Sequence, residues 1–427
     1  MRTHAIRAAV LAAVPLCLPI NPGAAQSQDL QTVRDEIRSM REAYENRIGA
    51  LEAQLKEMEA EQKKASASGA PAPSASDKPV VRDNAFNPSI GVIFNGKLSS
   101  FSADESEFAG FAVGHEGERG REGFGIGESE LNFSANVDDK FYGSATAAIV
   151  REDGEDKVEL EEAFVQTLPG AGLPDGLRLK AGRAFWTLGY LNEHHAHADD
   201  FADRPLPYRV FLNKAYNDDG VEAAWVLPTP FFAEIGGGIF RGDDFPYGGS
   251  DDGTGAWSAF ARVGGDFGPN HNWRTGVYLL DGEAGSREAN EDTVTFVGDS
   301  RLYAADLRYV WAPTGNPRDQ EVIVQGEYFW RAEDGTYEDS DAGTGAVAFD
   351  DSSSGWYLQT VYKFDPQWRI GARYSRLAPA SVPGGLSGSA LDSGGHDPEA
   401  FSLMADWTNS EFSRLRLQYN NEDLSGG

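Results

Sequence analysis

The chain has 427 residues, a formal net charge of -30 and one cysteine. That charge disfavours nucleic acid and bare anionic membrane surfaces as partners, and a single cysteine leaves no disulfide framework to hold a fold. Glycine is frequent, at 49 residues, and aromatics reach 11%, a composition that points towards strands.

Residues 1–25 read as a secretory signal peptide. Arg2 and Arg7 form a basic start, an apolar run follows from Ala8 to Ile20, and small residues precede a cut after Ala25. The cut also removes Cys17. No later stretch approaches the ~18 consecutive apolar residues of a transmembrane helix.

Residues 26–64 predict a periplasmic coiled coil. The apolar series Leu30, Val33, Ile37, Met40, Tyr44, Ile48, Leu51, Leu55, Met58 advances in steps of three and four. Two successive steps of four, Met40 to Tyr44 to Ile48, insert one stutter into a heptad seam. A stripe this narrow buries little on its own, so self-association is the natural reading; a single solvated helix is the alternative. Residues 65–85 form an Ala/Pro/Ser linker without core-forming residues.

From residue 86 to 427 a period of two takes over. In 413-SRLRLQY-419, Leu415, Leu417 and Tyr419 oppose Arg414, Arg416 and Gln418. In 320-QEVIVQGEYFW-330, Val322, Val324, Tyr328 and Trp330 oppose Gln325 and Glu327. Fifteen such segments are predicted: 89–100, 124–137, 141–151, 157–167, 177–187, 219–228, 231–241, 255–267, 272–281, 301–312, 320–331, 354–364, 367–377, 400–408 and 412–419. Their length fits tilted membrane-spanning strands of ~9–11 residues, and their apolar faces often end in aromatics. Short and long connections alternate along the chain, with 152-EDGED the one brief member of the long series. Short periplasmic turns and long outer loops are the rule for a barrel of the bacterial outer membrane. Such barrels have even strand counts. The expected fold is therefore an all-β transmembrane barrel of about sixteen antiparallel strands, its last strand missing from a C-terminally truncated chain, preceded by the N-terminal α-helical coiled coil.

About sixteen strands enclose a water-filled lumen. The early strands place Glu128, Glu130, Glu159 and Glu161 towards it; Arg178 and Lys180 follow, then Arg274, Arg369, Arg373, Arg414 and Arg416. An acidic wall facing a basic wall sets up a transverse field at a constriction. Simple solvation in a wide pore is the plainer reading. The longest connection, 188–218, is the third outer loop. It carries His194, His195 and His197, residue types that bind zinc or copper, followed by Asp199, Asp200, Asp203, Arg204 and Arg209. The histidines are a candidate divalent-metal site, although their spacing is too tight for all three to bind one ion from a regular element. The other five are candidates for a pore constriction. Glycine runs at 236–238 and 394–395 do not link a strand to a helix, so they are not phosphate cradles. No Ser/His/Asp constellation is evident, and no enzymatic activity is expected.

The segment 177-LRLKAGRAFWTLGYLNEHHAHADDFADRPLPYRVFLNKAYNDDGVEAAW-225 resembles the phosphate-selective (O/P-type) porins: a strand ending in G-R-x-F, a long loop with an R-P-L-P element, and a return through N-D-D-G-V. The secretory start, helix and sixteen-strand plan agree, over roughly residues 85–427. The resemblance implies an outer-membrane porin, passive diffusion, and a homotrimer in which the third loop folds into the pore. The acidic charge departs from the family's anion selectivity, so phosphate specificity is not carried over. The expected function is passage of small hydrophilic solutes or ions through a charged constriction, among outer-membrane lipid and lipopolysaccharide, with the periplasmic helix reaching a trimer seam or the cell wall. A protein of another class, a barrel-anchored surface tether whose loops bind a divalent metal or a partner, is the alternative.

Overall fold

The structure is a computed structural model that describes residues 88–102, 107–152, 155–249 and 253–425. The predicted signal peptide, coiled coil and linker lie outside the described residues. The strands are β1 (Ser89–Ile93), β2 (Gly96–Ser99), β3 (Gly123–Ile126), β4 (Ser129–Asn136), β5 (Phe141–Glu152), β6 (Glu155–Thr167), β7 (Leu177–Phe185), β8 (Asn217–Val226) and β9 (Phe232–Phe240). They continue as β10 (Ala256–Asp266), β11 (His271–Ala289), β12 (Val294–Trp311), β13 (Glu321–Asp339), β14 (Val347–Asp365), β15 (Trp368–Ala378), β16 (Glu399–Ser410) and β17 (Ser413–Asp423). One helix, α1 (Leu206–Leu212), stands between β7 and β8.

Fifteen strands form one antiparallel sheet in the order β1, β4, then β5 through β17, each beside its neighbour in sequence. β2 and β3 pair separately, continuing the β1–β4 hairpin across a break where the Gly127 N–H donates to the Asn95 carbonyl at 2.7 Å. Each of the fifteen predicted segments thus coincides with one strand or one interrupted strand. The outermost strands are β1 and β17, and among the described residues no ladder joins them.

Two predicted loops, 282–300 and 332–353, are mostly strand. β11 to β14 run 18 or 19 residues, and their ladders extend far beyond the apolar stretches. The alternation weakens there because polar residues occupy both faces.

The polarity of the sheet is inverted relative to a protein in water. Leu415, Leu417 and Tyr419 are 68%, 77% and 62% exposed, while Glu327, Arg373 and Asp406 are 3%, 4% and 0% exposed. Aromatics collect at two levels of the apolar face. Trp311, Phe364, Trp368 and Trp407 lie near the short turns; Tyr303, Trp330 and Trp356 lie higher, with Tyr303 and Trp330 stacked at 5.2 Å. Trp311 and Tyr303 stand eight residues apart on β12, roughly 26 Å at strand rise, close to the ~25 Å apolar band of an outer-membrane barrel. The main cluster of buried apolar side chains, among them Trp186, Tyr208, Phe211, Phe329 and Tyr357, lies between the connection after β7 and the inward side of the sheet.

Candidate functional site

The connection between β7 and β8, residues 186–216, is a built element. Its two ends are laced by Asn192, which is fully buried. The Asn192 amide donates to the carbonyls of Trp186 at 2.8 Å and Tyr216 at 3.0 Å, and its oxygen accepts from the Tyr216 N–H at 2.6 Å. The Thr187 N–H and hydroxyl both donate to Glu222 of β8, at 3.1 and 2.9 Å.

α1 begins after Pro205, takes Pro207 in its first turn, where a missing N–H costs nothing, and ends at Asn213 in the left-handed conformation (φ 48°). All seven of its residues are buried. Gly355 on β14 makes room for it: a Cβ there would lie 2.6 Å from Leu377, with Phe211 and Pro207 of the helix at 3.2 Å. Glu327 of β13 holds the start of the loop. It accepts the N–H groups of Tyr190 (3.0 Å) and Leu191 (3.2 Å) and the hydroxyls of Tyr208 (2.9 Å) and Tyr357 (2.6 Å). Gly189, at φ 78°, lets the backbone approach, because a Cβ there would sit 2.1 Å from the Glu327 carboxylate.

From this base the loop reaches strands at opposite ends of the sheet. His197 Nδ1 donates to Glu130 of β4 at 2.6 Å, while the His197 carbonyl accepts from Arg414 of β17. β4 and β17 sit second and last in the strand order. One residue can touch both only if the sheet is rolled around the loop.

On the basic side, Asp200 pairs with Arg369 and Asp203 with Arg373, both at 2.7 Å. Gln418 and Asn420 also donate to Asp203, at 2.5 and 2.9 Å. Arg416 donates to the Asp199 carbonyl at 2.9 Å and pairs with Asp406 at 2.8 Å; Asp406 takes Arg369 at 2.6 Å. Burial works against charge on Asp203, yet Arg373, Gln418 and Arg209 outweigh it and hold the carboxyl below its ordinary range.

A third group of contacts involves Glu193, which pairs with Arg262 and stands 3.6 Å from Arg274. Arg274 meets Asp306 at 3.1 Å, and the guanidinium groups of Arg274 and Arg308 lie over the Tyr190 ring at 4.7 and 4.6 Å.

On the acidic side, His195 is surrounded by carboxylates. Its Nε2 donates to Glu162 at 2.9 Å, and its Nδ1 stands 3.3 Å from Glu130 and 3.4 Å from Glu161. Burial opposes a charge on this ring, but Glu130, Glu161 and Glu162 outweigh it and push the imidazole up to about 12. Nδ1 is buried and faces the Glu130 and Glu161 carboxylates together. Glu128 lies close to Glu130 and Glu161.

The predicted site residues therefore separate. His195 and His197 come together, their rings 5.6 Å apart. His194 does not join them: its Nδ1 is 2.9 Å from the Tyr190 carbonyl and its ring stacks on Tyr190. Asp199 and Arg204 pair inside the loop at 2.6 Å, where burial pushes the Asp199 carboxyl up to about 7 against the opposing charge of Arg204. Arg204 also donates to the carbonyls of Leu191 and His194. Arg209 donates to the Gly117 carbonyl at 2.8 Å and to Glu422 of β17 at 3.0 Å. Lys180 donates to the Phe185 carbonyl and lies over the Phe164 and Trp186 rings; Arg178 and Glu159 are half-buried.

Glu162 escaped the sequence reading because a bulge between the Thr146–Glu162 and Ala147–Leu160 pairs breaks the alternation of β6 and turns Glu161 and Glu162 to the same histidine. Glu327 was legible as a polar-face residue, but nothing in its spacing marked it as the anchor of a loop more than a hundred residues earlier.

No family model matches the chain. Over 360 residues it is 28% identical to an uncharacterised protein of Aquifex aeolicus, an alignment covering 78% of this chain and 73% of that protein. Among solved structures it is similar to the anion-selective porin from Comamonas acidovorans, with a TM-score of 0.47, 10% identity, and 79% of this chain and 90% of that one covered. It is also similar to the outer membrane channel DcaP of Acinetobacter baumannii, with a TM-score of 0.45, 10% identity, and coverage of 78% and 91%.

Proposed function

We propose that the chain is a porin of the bacterial outer membrane, its N-terminal helix in the periplasm, through which small hydrophilic solutes or ions diffuse passively. The observation that carries this reading is the inverted polarity of a rolled sheet. Apolar side chains banded by aromatics face outward, and ionised side chains face a loop held inside. In water an apolar surface of that extent would drive aggregation. In a bilayer it is what the lipid requires.

The lumen needs no chemistry, only a charged narrowing. Residues 186–216 supply it, with Asp199, Asp200, Asp203, Arg204 and Arg209 at the constriction. Asp200 and Asp203 bind the basic wall, Asp199 and Arg204 stiffen the loop from within, and Arg209 ties α1 to β17. Glu128, Glu130, Glu159 and Glu161 line one side; Arg274, Arg369, Arg373, Arg414 and Arg416 line the other. A field across the constriction orders polar solutes as they pass. The likeness of residues 177–225 to phosphate-selective porins supports passive diffusion and a homotrimer; the acidic charge argues against phosphate as the particular solute.

Liposomes carrying the purified full-length protein test this reading. Swelling in isotonic sugar solutions should be fast for the smallest sugars and fall steeply with size. A tether that only uses the barrel as an anchor would leave the liposomes unswollen, and that outcome contradicts the proposal.

A further inference from the structure

The loop histidines His195 and His197 converge on a cluster of carboxylates. We propose that Glu130, His195 and His197, with Glu161 as fourth donor, bind one divalent first-row transition-metal ion of the zinc class where the inner loop meets the acidic wall. The proposal stands apart from the porin reading, because it concerns equilibrium binding and not flux.

The donor set is mixed imidazole and carboxylate, the chemistry that zinc and its neighbours take. The Glu130, His195 and His197 ligand atoms lie within 4.8 Å of one another, as do those of Glu128, Glu130 and Glu161. His195 Nδ1 stands 3.3 Å from Glu130 Oε2 and 3.4 Å from Glu161 Oε2. The edge of a tetrahedron around zinc, at bonds of about 2.0–2.1 Å, is roughly 3.3–3.4 Å. His195 Nδ1 and Glu161 Oε2 are both buried and face each other at 3.4 Å without a well-formed hydrogen bond, and the Glu161 side chain is only 10% exposed. Buried polar atoms are rarely left so, and a cation between them would satisfy both.

The surroundings also fit. The other ring nitrogen of His195 donates to Glu162 at 2.9 Å, the carboxylate–histidine–metal arrangement that orients a ligand imidazole and raises its basicity. Glu130, Glu161 and Glu162 face two imidazoles, so even with both rings protonated the cluster keeps a net negative charge. A metal here would brace the loop to β4 and β6, the wall opposite its aspartate–arginine pairs.

Full-length protein, folded in detergent and stripped with a chelator, would be titrated with Zn2+ by calorimetry and with Co2+ by visible absorption. One equivalent should bind per chain, with cobalt bands of tetrahedral intensity. Glu130→Gln and His197→Ala should each weaken binding by at least about tenfold, and His194→Ala should leave it unchanged. Heat-dependent gel migration checks that each variant keeps its barrel. The stoichiometry and cobalt spectrum are read on unaltered protein. Absence of stoichiometric binding, or a weak octahedral cobalt spectrum of the kind surface carboxylates give, therefore overturns the proposal whether or not the variants fold. Binding that persists unchanged in Glu130→Gln and His197→Ala, or is lost equally in His194→Ala, overturns it as well.

Discussion

Glu327 collects two backbone N–H groups and two tyrosine hydroxyls in a site from which water is excluded. Glu327→Ala would leave those four donors without an acceptor, at a cost of about 2–4 kcal/mol after relaxation. The expected outcome is proteolytic cleavage within residues 186–216 under conditions where the parent protein resists. A variant loop as resistant as the parent would remove Glu327 from the role of anchor. Asp203 makes a pH-dependent contribution of known sign. Its folded carboxyl is held below the ordinary range, so the unfolded loop takes up the proton first as pH falls. The stabilisation is complete above the ordinary carboxylate range and is lost as pH drops through the lowered value. Comparing Asp203→Asn with the parent should show a difference of about 1–2 kcal/mol in loop opening at neutral pH that vanishes at strongly acidic pH. A difference independent of pH would show that Asp203 acts through shape and not charge. The basic partners Arg369 and Arg373 were legible in the sequence, because period-two alternation fixes the face. Their match with Asp200 and Asp203 was not, because it joins residues about 170 positions apart.

The inner loop shows where the sequence signal stops. Its place between the fifth and sixth segments follows from counting strands. The helix inside it did not declare itself: seven residues flanked by Pro205 and containing Pro207 carry too little periodicity to be read. Long-range fit defines it instead, with Gly355 as the socket. Gly355→Val should press on Phe211, Pro207 and Leu377 and destabilise the seated helix by about 1–3 kcal/mol, while the sheet, held by its ladders, should melt at the parent's temperature by circular dichroism. An unperturbed loop in that variant, judged by the same proteolysis, would mean that α1 does not need this socket. The strands were read well where an apolar face alternates with a charged one. They were read short in β11 to β14, where polar residues occupy both faces beyond the apolar stretches and the pattern that marks a strand fades although the ladder persists.

For the molecule as a whole, the separation of an apolar outer face from a charged interior was the most legible feature, clearest in the segments that became β13, β14 and β17. The heptad series of residues 26–64 leads to a further expectation: the full-length chain is a trimer by light scattering in detergent, and removing residues 26–64 shifts it towards monomers. An unchanged trimer after that deletion would assign assembly to the barrel walls alone. Porin function requires a water-filled passage through the rolled sheet, narrowed by residues 186–216. Single-channel recording of the purified full-length protein in a planar bilayer tests it most directly. The account predicts discrete, stepwise current increments that scale with salt concentration; insertion of the protein with no ion current would contradict it.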